Sequence, residues 1–192
     1  MMATVTRATP DVTLTSDASG SWGCGAFTGD DWFQLQWVGP ISNCHITTKE
    51  LVPIVLAAAL WGPAWKGQTI HARCDNTAVV SLINSGSGKT QEAMHLMRCL
   101  AFISAKFEFF TFASHIRGVD NTLADALSRN NRQLFHSLHP QAKKEAAPIP
   151  MEWLDLLIVD KPDWTSARGS GDLFLQCLSF LNTYSYSYSC TS

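Results

Sequence analysis

The stretch Val12-Thr-Leu-Thr-Ser-Asp17-Ala-Ser-Gly20-Ser-Trp-Gly-Cys-Gly-Ala-Phe-Thr28-Gly-Asp-Asp-Trp32-Phe-Gln-Leu-Gln-Trp-Val38 decides the fold. Val12 to Ser16 alternates apolar and polar side chains, the period of a half-buried strand. Ser19-Gly20-Ser21 reads as a turn. Trp22 to Thr28 reads as a second strand, in which Gly23 and Gly25 leave room for another backbone to come close. Gly29-Asp30-Asp31 closes a hairpin, and Trp32 to Val38 alternates strictly. Links this short make sequential strands antiparallel neighbours, so the chain opens on a three-stranded meander.

Beyond the meander, strands and helices alternate. Thr47-Thr-Lys-Glu50 has the form of a capping box and opens a helix to about Trp61. Pro53 removes one backbone donor from it, so the helix either starts after Thr47 or kinks. Thr69 to Cys74 is a fourth strand, Asn76 to about Asn84 a short helix, and Ser85-Gly-Ser-Gly88 a break. Glu92 to about Lys106 is helical, Phe107 to Ala113 is a fifth strand, and Asn121 to Arg129 is a final helix. The order βββ-α-β-α-α-β-α predicts an α/β fold. Residues 1–10 read as a leader and 11–130 as the domain. Residues 131–192 read as a linker, centred on Lys143-Lys-Glu-Ala-Ala-Pro-Ile-Pro150, and a poorly structured tail. Within that tail Met151 to Val159 has the pattern of one short amphipathic helix, and Tyr184 to Ser189 is low in complexity.

Composition narrows the class. Of the 192 residues 46% are hydrophobic and 16% charged, enough apolar material for a core, which excludes disorder throughout. No apolar run is long enough to span a membrane, and the first ten residues lack the apolar core of a secretory signal, so the expected setting is intracellular, cytoplasmic or nuclear. The six cysteines show no Cys-x-x-Cys spacing and read as buried thiols. His136 and His139 lack the further ligands of a zinc site. The net charge of −2, nearly balanced on either side of residue 130, gives no global field for nucleic acid.

Four carboxylates stand at element ends. Asp17 ends the first strand, Glu50 opens the first helix, Asp75 follows the fourth strand, and Asp125 lies in the last helix. Each has an ordinary explanation: a turn former, a capping-box partner, a helix cap, a solvated helix residue. Their joint occurrence in this element order weighs against four separate accidents. If the first and fourth strands are neighbours, Asp17 and Asp75 share one sheet edge, and helices packed there add the other two. Four carboxylates so placed repel one another unless cations intervene, and Mg²⁺ prefers such oxygen ligands. Two ions about 3.5–4 Å apart suit phosphodiester hydrolysis.

Thr-Ser-Asp17-Ala-Ser-Gly, Thr-Lys-Glu50-Leu, Cys-Asp75-Asn and His115-Ile-Arg-Gly-Val-Asp-Asn121-Thr-Leu-Ala-Asp125-Ala-Leu-Ser-Arg together resemble the type 1 ribonuclease H domain of retroelement reverse transcriptases. The wording is most similar to DIRS-type and Ty3-like elements, and the match covers about residues 11–130. The resemblance implies a ribonuclease H-like fold: a five-stranded mixed sheet, three antiparallel strands then two parallel ones, flanked by helices. It implies hydrolysis of RNA in RNA–DNA hybrids, with Asp17, Glu50, Asp75 and Asp125 holding two Mg²⁺ or Mn²⁺ ions. His115, ten residues before Asp125 and six before Asn121, is implied as a mobile histidine on the loop before the last helix that assists proton transfer and product release. Ser19, Asn76, Lys89, Arg117 and Asn121 are the candidate substrate contacts, with Arg98 a further phosphate contact; Asn121 also reads as a helix cap. The short link Ser85 to Thr90 leaves no room for a basic protrusion, so hybrid affinity by this domain alone is expected to be poor.

Other classes fit less well. Ser-Gly-Ser-Gly88-Lys89-Thr90 imitates a nucleotide-binding loop, but Ile83 stands where its first glycine belongs and no strand precedes it, so no nucleotide cofactor is expected. An integrase of related fold orders its acids Asp, Asp, Glu, unlike the order here. Met151-Glu-Trp-Leu and Asp163-Trp-Thr-Ser resemble the segment joining ribonuclease H to a recombinase in DIRS-type elements, which implies a larger reverse transcriptase polyprotein. The alternative is an inactive retroelement remnant that binds nucleic acid or a protein.

Overall fold

The computed structural model describes residues 9–150 and Trp153. The remaining residues of the helix expected at Met151 to Val159, and the Tyr184 to Ser189 tract, lie outside the described residues. Strands β1 (Val12–Ala18), β2 (Gly23–Thr28) and β3 (Asp31–Gln36) form the antiparallel meander. β4 (Thr69–Cys74) pairs parallel to β1, and β5 (Phe110–His115) parallel to β4. The sheet order is therefore β3-β2-β1-β4-β5, the mixed five-stranded sheet expected.

α1 (Ile46–Trp61) lies between the sheet and α3 (Gln91–Phe107). Every residue from Thr48 to Ala58 is buried, which is why this helix is apolar nearly all round. It starts at Ile46 and runs through Pro53; its cap is His45, whose Nδ1 accepts from Thr47 N at 3.2 Å. The capping box expected at Thr47 is not used, which frees the Glu50 side chain. Lys49, also buried, donates from Nζ to the carbonyls of Gly20 (2.7 Å) and Ser42 (2.8 Å), tying the first turn of α1 to the β1–β2 turn. α2 (Thr77–Ser85) is capped by Asn76, whose Oδ1 accepts from Ala78 N and Val79 N, and ends on Gly86 in the left-handed region.

β5 begins three residues later than its alternation suggested. Phe107 stays in α3, and Glu108, with φ 57°, ends that helix. The shift makes His115 the last residue of β5, paired with Cys74, and not a residue of the following loop. At the outer side of β5 the Asn84 amide bonds both the N–H and the carbonyl of Ala113 at 2.9 Å. A side chain thus occupies one of the backbone positions that an added strand would need.

Side chains of β2 and β3 alternate between two cores. Cys24, Ala26 and Phe33 face α1, whereas Phe27 and Trp32 face α4 (Thr122–Ser128) and α5 (Arg132–Leu138). α4 lies directly on the sheet: a methyl group at Gly25 would stand 2.3 Å from Leu127 Cβ. The expectation of poorly structured chain after Asn130 does not hold for residues 131–150. Phe135 is fully buried between Trp32 and Phe27. The chain then binds the hairpin through Trp32 Nε1 to Lys143 O (2.6 Å), Lys143 N to Asp30 O (2.9 Å) and Ala147 N to Trp32 O (2.8 Å). Ala147, Ile149 and Trp153 join the core on the α1 side, so this segment crosses the β3 edge from one face of the sheet to the other. The proline-bearing composition that suggested a linker belongs to an extended strap along an edge strand.

Phe135→Ala should destabilise the full chain by about 3–5 kcal/mol, the usual cost of emptying a buried phenylalanine site, measured by urea denaturation. A chain cut after Asn130, which leaves Trp32 uncovered, should aggregate or melt without a cooperative transition. A sharp, reversible melt of that shortened chain would show that the strap is dispensable.

Candidate active site

β1 and β4 run parallel, with Thr15 opposite Arg73. Two residues further on, Asp17 at the end of β1 and Asp75 just past β4 reach the same edge of the sheet. Glu50 comes to it from the first turns of α1, held down there by the Lys49 anchor. One carboxylate oxygen from each of Asp17, Glu50 and Asp75 lies within 4.8 Å of the other two. Asp17 and Glu50 are buried, and Asp75 is the most exposed of the three.

Burial and mutual repulsion disfavour ionisation here. Burial, then Asp17 and Asp75, push the Glu50 carboxyl up to about 9, against one favourable hydrogen bond from the Ala18 backbone. Burial pushes Asp17 up to about 6, opposed by the Ser128 hydroxyl and reinforced by Asp75 and Asp125. Glu50 Oε2 is buried without a hydrogen-bond partner, an expensive state for a carboxylate oxygen. A divalent cation fits this trio: it would supply the missing partner of Oε2 and oppose the repulsion. Beneath the trio burial drives the Cys24 thiol well up and the Cys74 thiol to about 12, so both stay neutral and add no charge.

Asp125, the fourth carboxylate of the sequence motif, is not in the trio. Its Oδ1 accepts from Arg129 Nε at 2.6 Å. α4 nevertheless touches the site. Asn121, nearly fully buried, donates from Nδ2 to Ser16 O (3.1 Å) and to Asp17 Oδ1 (3.4 Å). It makes no side-chain cap to α4, and its burial makes it a support for Asp17 more than a surface for substrate. The Ser128 hydroxyl reaches both Asp17 and the Asp125 carbonyl (3.0 Å). Sequence reasoning assigned no role to Ser128 or Arg129. Their positions three and four residues after Asp125, one helical turn on, were the available signal.

The other expected residues scatter. Exposed His115 stands at the carboxyl end of β5, its backbone in register with the residue before Asp75. The Ser19 hydroxyl is spent within the β1–β2 turn, accepting from Trp22 N and Gly23 N at 3.0 Å and donating to Gly23 O. The Asn76 oxygen is committed to capping α2. Arg117 is ion-paired with Asp120 at 2.6 Å on the surface. Arg98 lies exposed on α3. Lys89 lines a cavity of about 410 Å³ together with His45, Thr47, Ser87 and Thr90, at the amino-terminal ends of α1 and α3. Sequence reasoning missed that five hydroxyl-bearing residues and a histidine accompany this lysine, because they come from segments up to about forty residues apart.

Because both carboxyls are raised, the metal-free protein holds more protons folded than unfolded. Their cost is absent below about pH 4 and grows as pH rises, for Asp17 up to about 6 and for Glu50 up to about 9. The metal-free melting temperature should therefore fall between pH 5 and pH 9. Glu50→Gln should flatten that fall, and millimolar Mg²⁺ should oppose it in the wild type, as read by calorimetric melts. A wild-type melting temperature that rises over this range would contradict the electrostatics.

No protein-family model and no curated protein matches the sequence. Among solved structures the chain is similar to LC11 ribonuclease H1 crystallised with an RNA/DNA hybrid, at 15% identity and a TM-score of 0.50, over 62% of this chain and 95% of that one. Two others are ribonuclease H1 of the halophilic archaeon Halobacterium salinarum (12% identity, TM-score 0.46, 64% and 97% covered) and the N-terminal ribonuclease H domain of a Mycobacterium tuberculosis protein (14%, 0.45, 62% and 96%). The strand order, the antiparallel and parallel pairings and the first of these likenesses give one conclusion: the chain has the ribonuclease H-like fold.

Proposed function

We propose that this chain is a metal-dependent endonuclease that cuts the RNA strand of RNA–DNA hybrids. The observation that carries the proposal is the buried convergence of Asp17, Glu50 and Asp75, with one Glu50 oxygen unpartnered. Asp17, Glu50, Asp75 and Asp125 would hold two divalent ions, Mg²⁺ or Mn²⁺. When bound, such ions acidify a water and stabilise charge on a phosphodiester. The protein's own contribution is to fix the ligands. The parallel β1–β4 pair sets Asp17 beside Asp75, Lys49 anchors the turn that bears Glu50, and Asn121 and Ser128 hold Asp17. His115, exposed at the same end of the sheet, would carry protons between solvent and the reacting groups.

The cavity bearing Lys89 supports contact with a nucleic-acid backbone. Its lining is mostly apolar, and it presents Lys89 with the hydroxyl residues Thr47, Ser87 and Thr90, groups that can receive phosphate oxygens without reading sequence. A ribonuclease of this type recognises the hybrid by shape and by the RNA 2′-hydroxyls. The first solved structure above holds an RNA/DNA hybrid, which favours that substrate class for this chain too. The wording around Asp17, Asp75 and Ala124-Asp125-Ala-Leu-Ser-Arg129 supports a retroelement origin within a larger reverse transcriptase. Among the described residues no helix is long and apolar enough to cross a membrane.

The test is cleavage of an end-labelled hybrid by the full chain with Mg²⁺, with Mn²⁺ and with chelator. Cleavage confined to the RNA strand and dependent on the ion is expected. Asp17→Asn and Asp75→Asn should fall to background while melting no lower than wild type in the absence of metal, because repulsion is relieved. Hybrid binding with no cleavage under any ion would replace the enzyme by the inactive binding module.

His115→Ala should slow turnover by about 10²–10⁴-fold, the usual range for a general acid or base, and leave Mn²⁺ affinity unchanged in calorimetry. Loss of Mn²⁺ binding equal to that of Asp17→Asn would make His115 a ligand.

A further inference from the structure

Asp125 is set apart from the other three carboxylates by one contact. Arg129, the residue after α4, donates to it from Nε at 2.6 Å, and its backbone N–H bonds the Asp125 carbonyl at 3.1 Å. The guanidinium also lies in the field of Asp17 and Asp75. A unit positive charge therefore already stands at an edge where the fold otherwise gathers negative charge. The pair is held loosely: the side chains are 65% and 42% exposed, so water and salt screen it. A divalent ion, with twice the charge and a preference for carboxylate oxygen, can displace such a partner.

We propose that Arg129 is a positioning residue that reserves Asp125, so that a second cation is taken up only by displacing the guanidinium. This rests on the ribonuclease reading above, in which Asp125 completes the ligand set. The first ion needs Asp17, Glu50 and Asp75, which converge without Asp125. The second competes with Arg129 for the same carboxylate and is repelled by its charge. Uptake is consequently stepwise, with Arg129 setting the gap between the steps. An ion pair that merely stabilised the end of α4 would shift a melting temperature slightly and leave ion uptake alone.

The experiment titrates Mn²⁺ alone into the full-length protein by calorimetry, with bound Mn²⁺ counted by electron paramagnetic resonance. Wild type should take up one ion tightly and a second weakly. Arg129→Gln and Arg129→Ala should tighten the second step by about tenfold, the scale of removing a unit charge a few ångströms from a divalent ion in a water-like medium, and should change the first step less. The exposure of Arg129 leaves the fold intact in both variants, as thermal melts will verify. The gain should vanish in Asp125→Asn/Arg129→Gln. Unchanged uptake in both Arg129 variants, a gain that persists without Asp125, or two equally tight ions in wild type would each overturn the inference. Asp17→Asn checks the underlying site separately: it should abolish the first step, and if it does not, the site assignment fails, whatever Arg129 does.

Discussion

Three carboxylates crowd one sheet edge, and only the rigidity of the sheet and of the buried helix α1 keeps them there. Parallel pairing of β1 with β4 puts Asp17 and Asp75 side by side, and the first turns of α1 bring Glu50 against them. Repulsion in a partly dehydrated pocket opposes this arrangement. It persists because each backbone element is fixed by something else. β1 and β4 are central strands of a five-stranded sheet, and α1 is buried from Thr48 to Ala58. Lys49 ties the start of α1 to the turn after β1. The apolar core holds the carboxyl groups together, and a divalent cation bound among them would relieve the cost. Natural proteins place such locally unfavourable groups where function needs them.

Support for the site comes from the opposite face as well. α4 rests on Gly25 so closely that no side chain fits there, which brings Asn121 and Ser128 to Asp17. α5 and the strap to Ala147 cover Trp32 and Phe27 and close the second core beneath α4. A chain of packing thus runs from Phe135 through Leu127 to the residues that orient Asp17. The strap, although remote from the carboxylates, belongs to the same mechanical unit.

Much of the fold was legible because it rests on local signals. The alternation of Val12 to Val38 gave the meander, and the element order allowed the mixed sheet. Three carboxylates of the site were recognisable because strand ends and helix starts mark where side chains converge. What the sequence hid depends on contacts distant along the chain. Phe107-Glu-Phe alternates like a strand, yet its start is held by α3, and only Glu108 in the left-handed region ends that helix. Thr47 to Glu50 resembles a capping box, yet tertiary placement draws Glu50 to the cluster and leaves the cap to His45. Pro148 and Pro150 suggested a linker because composition does not show that Ala147 will bond Trp32, more than a hundred residues away. Asp125 matched the motif by sequence, but the partner chosen by its side chain, Arg129, is a matter of rotamer and field.

The most direct test of the central claim is a crystal of the full chain soaked in Mn²⁺ and measured at the manganese absorption edge. An anomalous peak bounded by carboxylate oxygens of Asp17, Glu50 and Asp75, with Glu50 Oε2 among its ligands, is the predicted result. A well-ordered trio with no peak between its carboxylates, or a peak confined to surface acids elsewhere, would contradict the account.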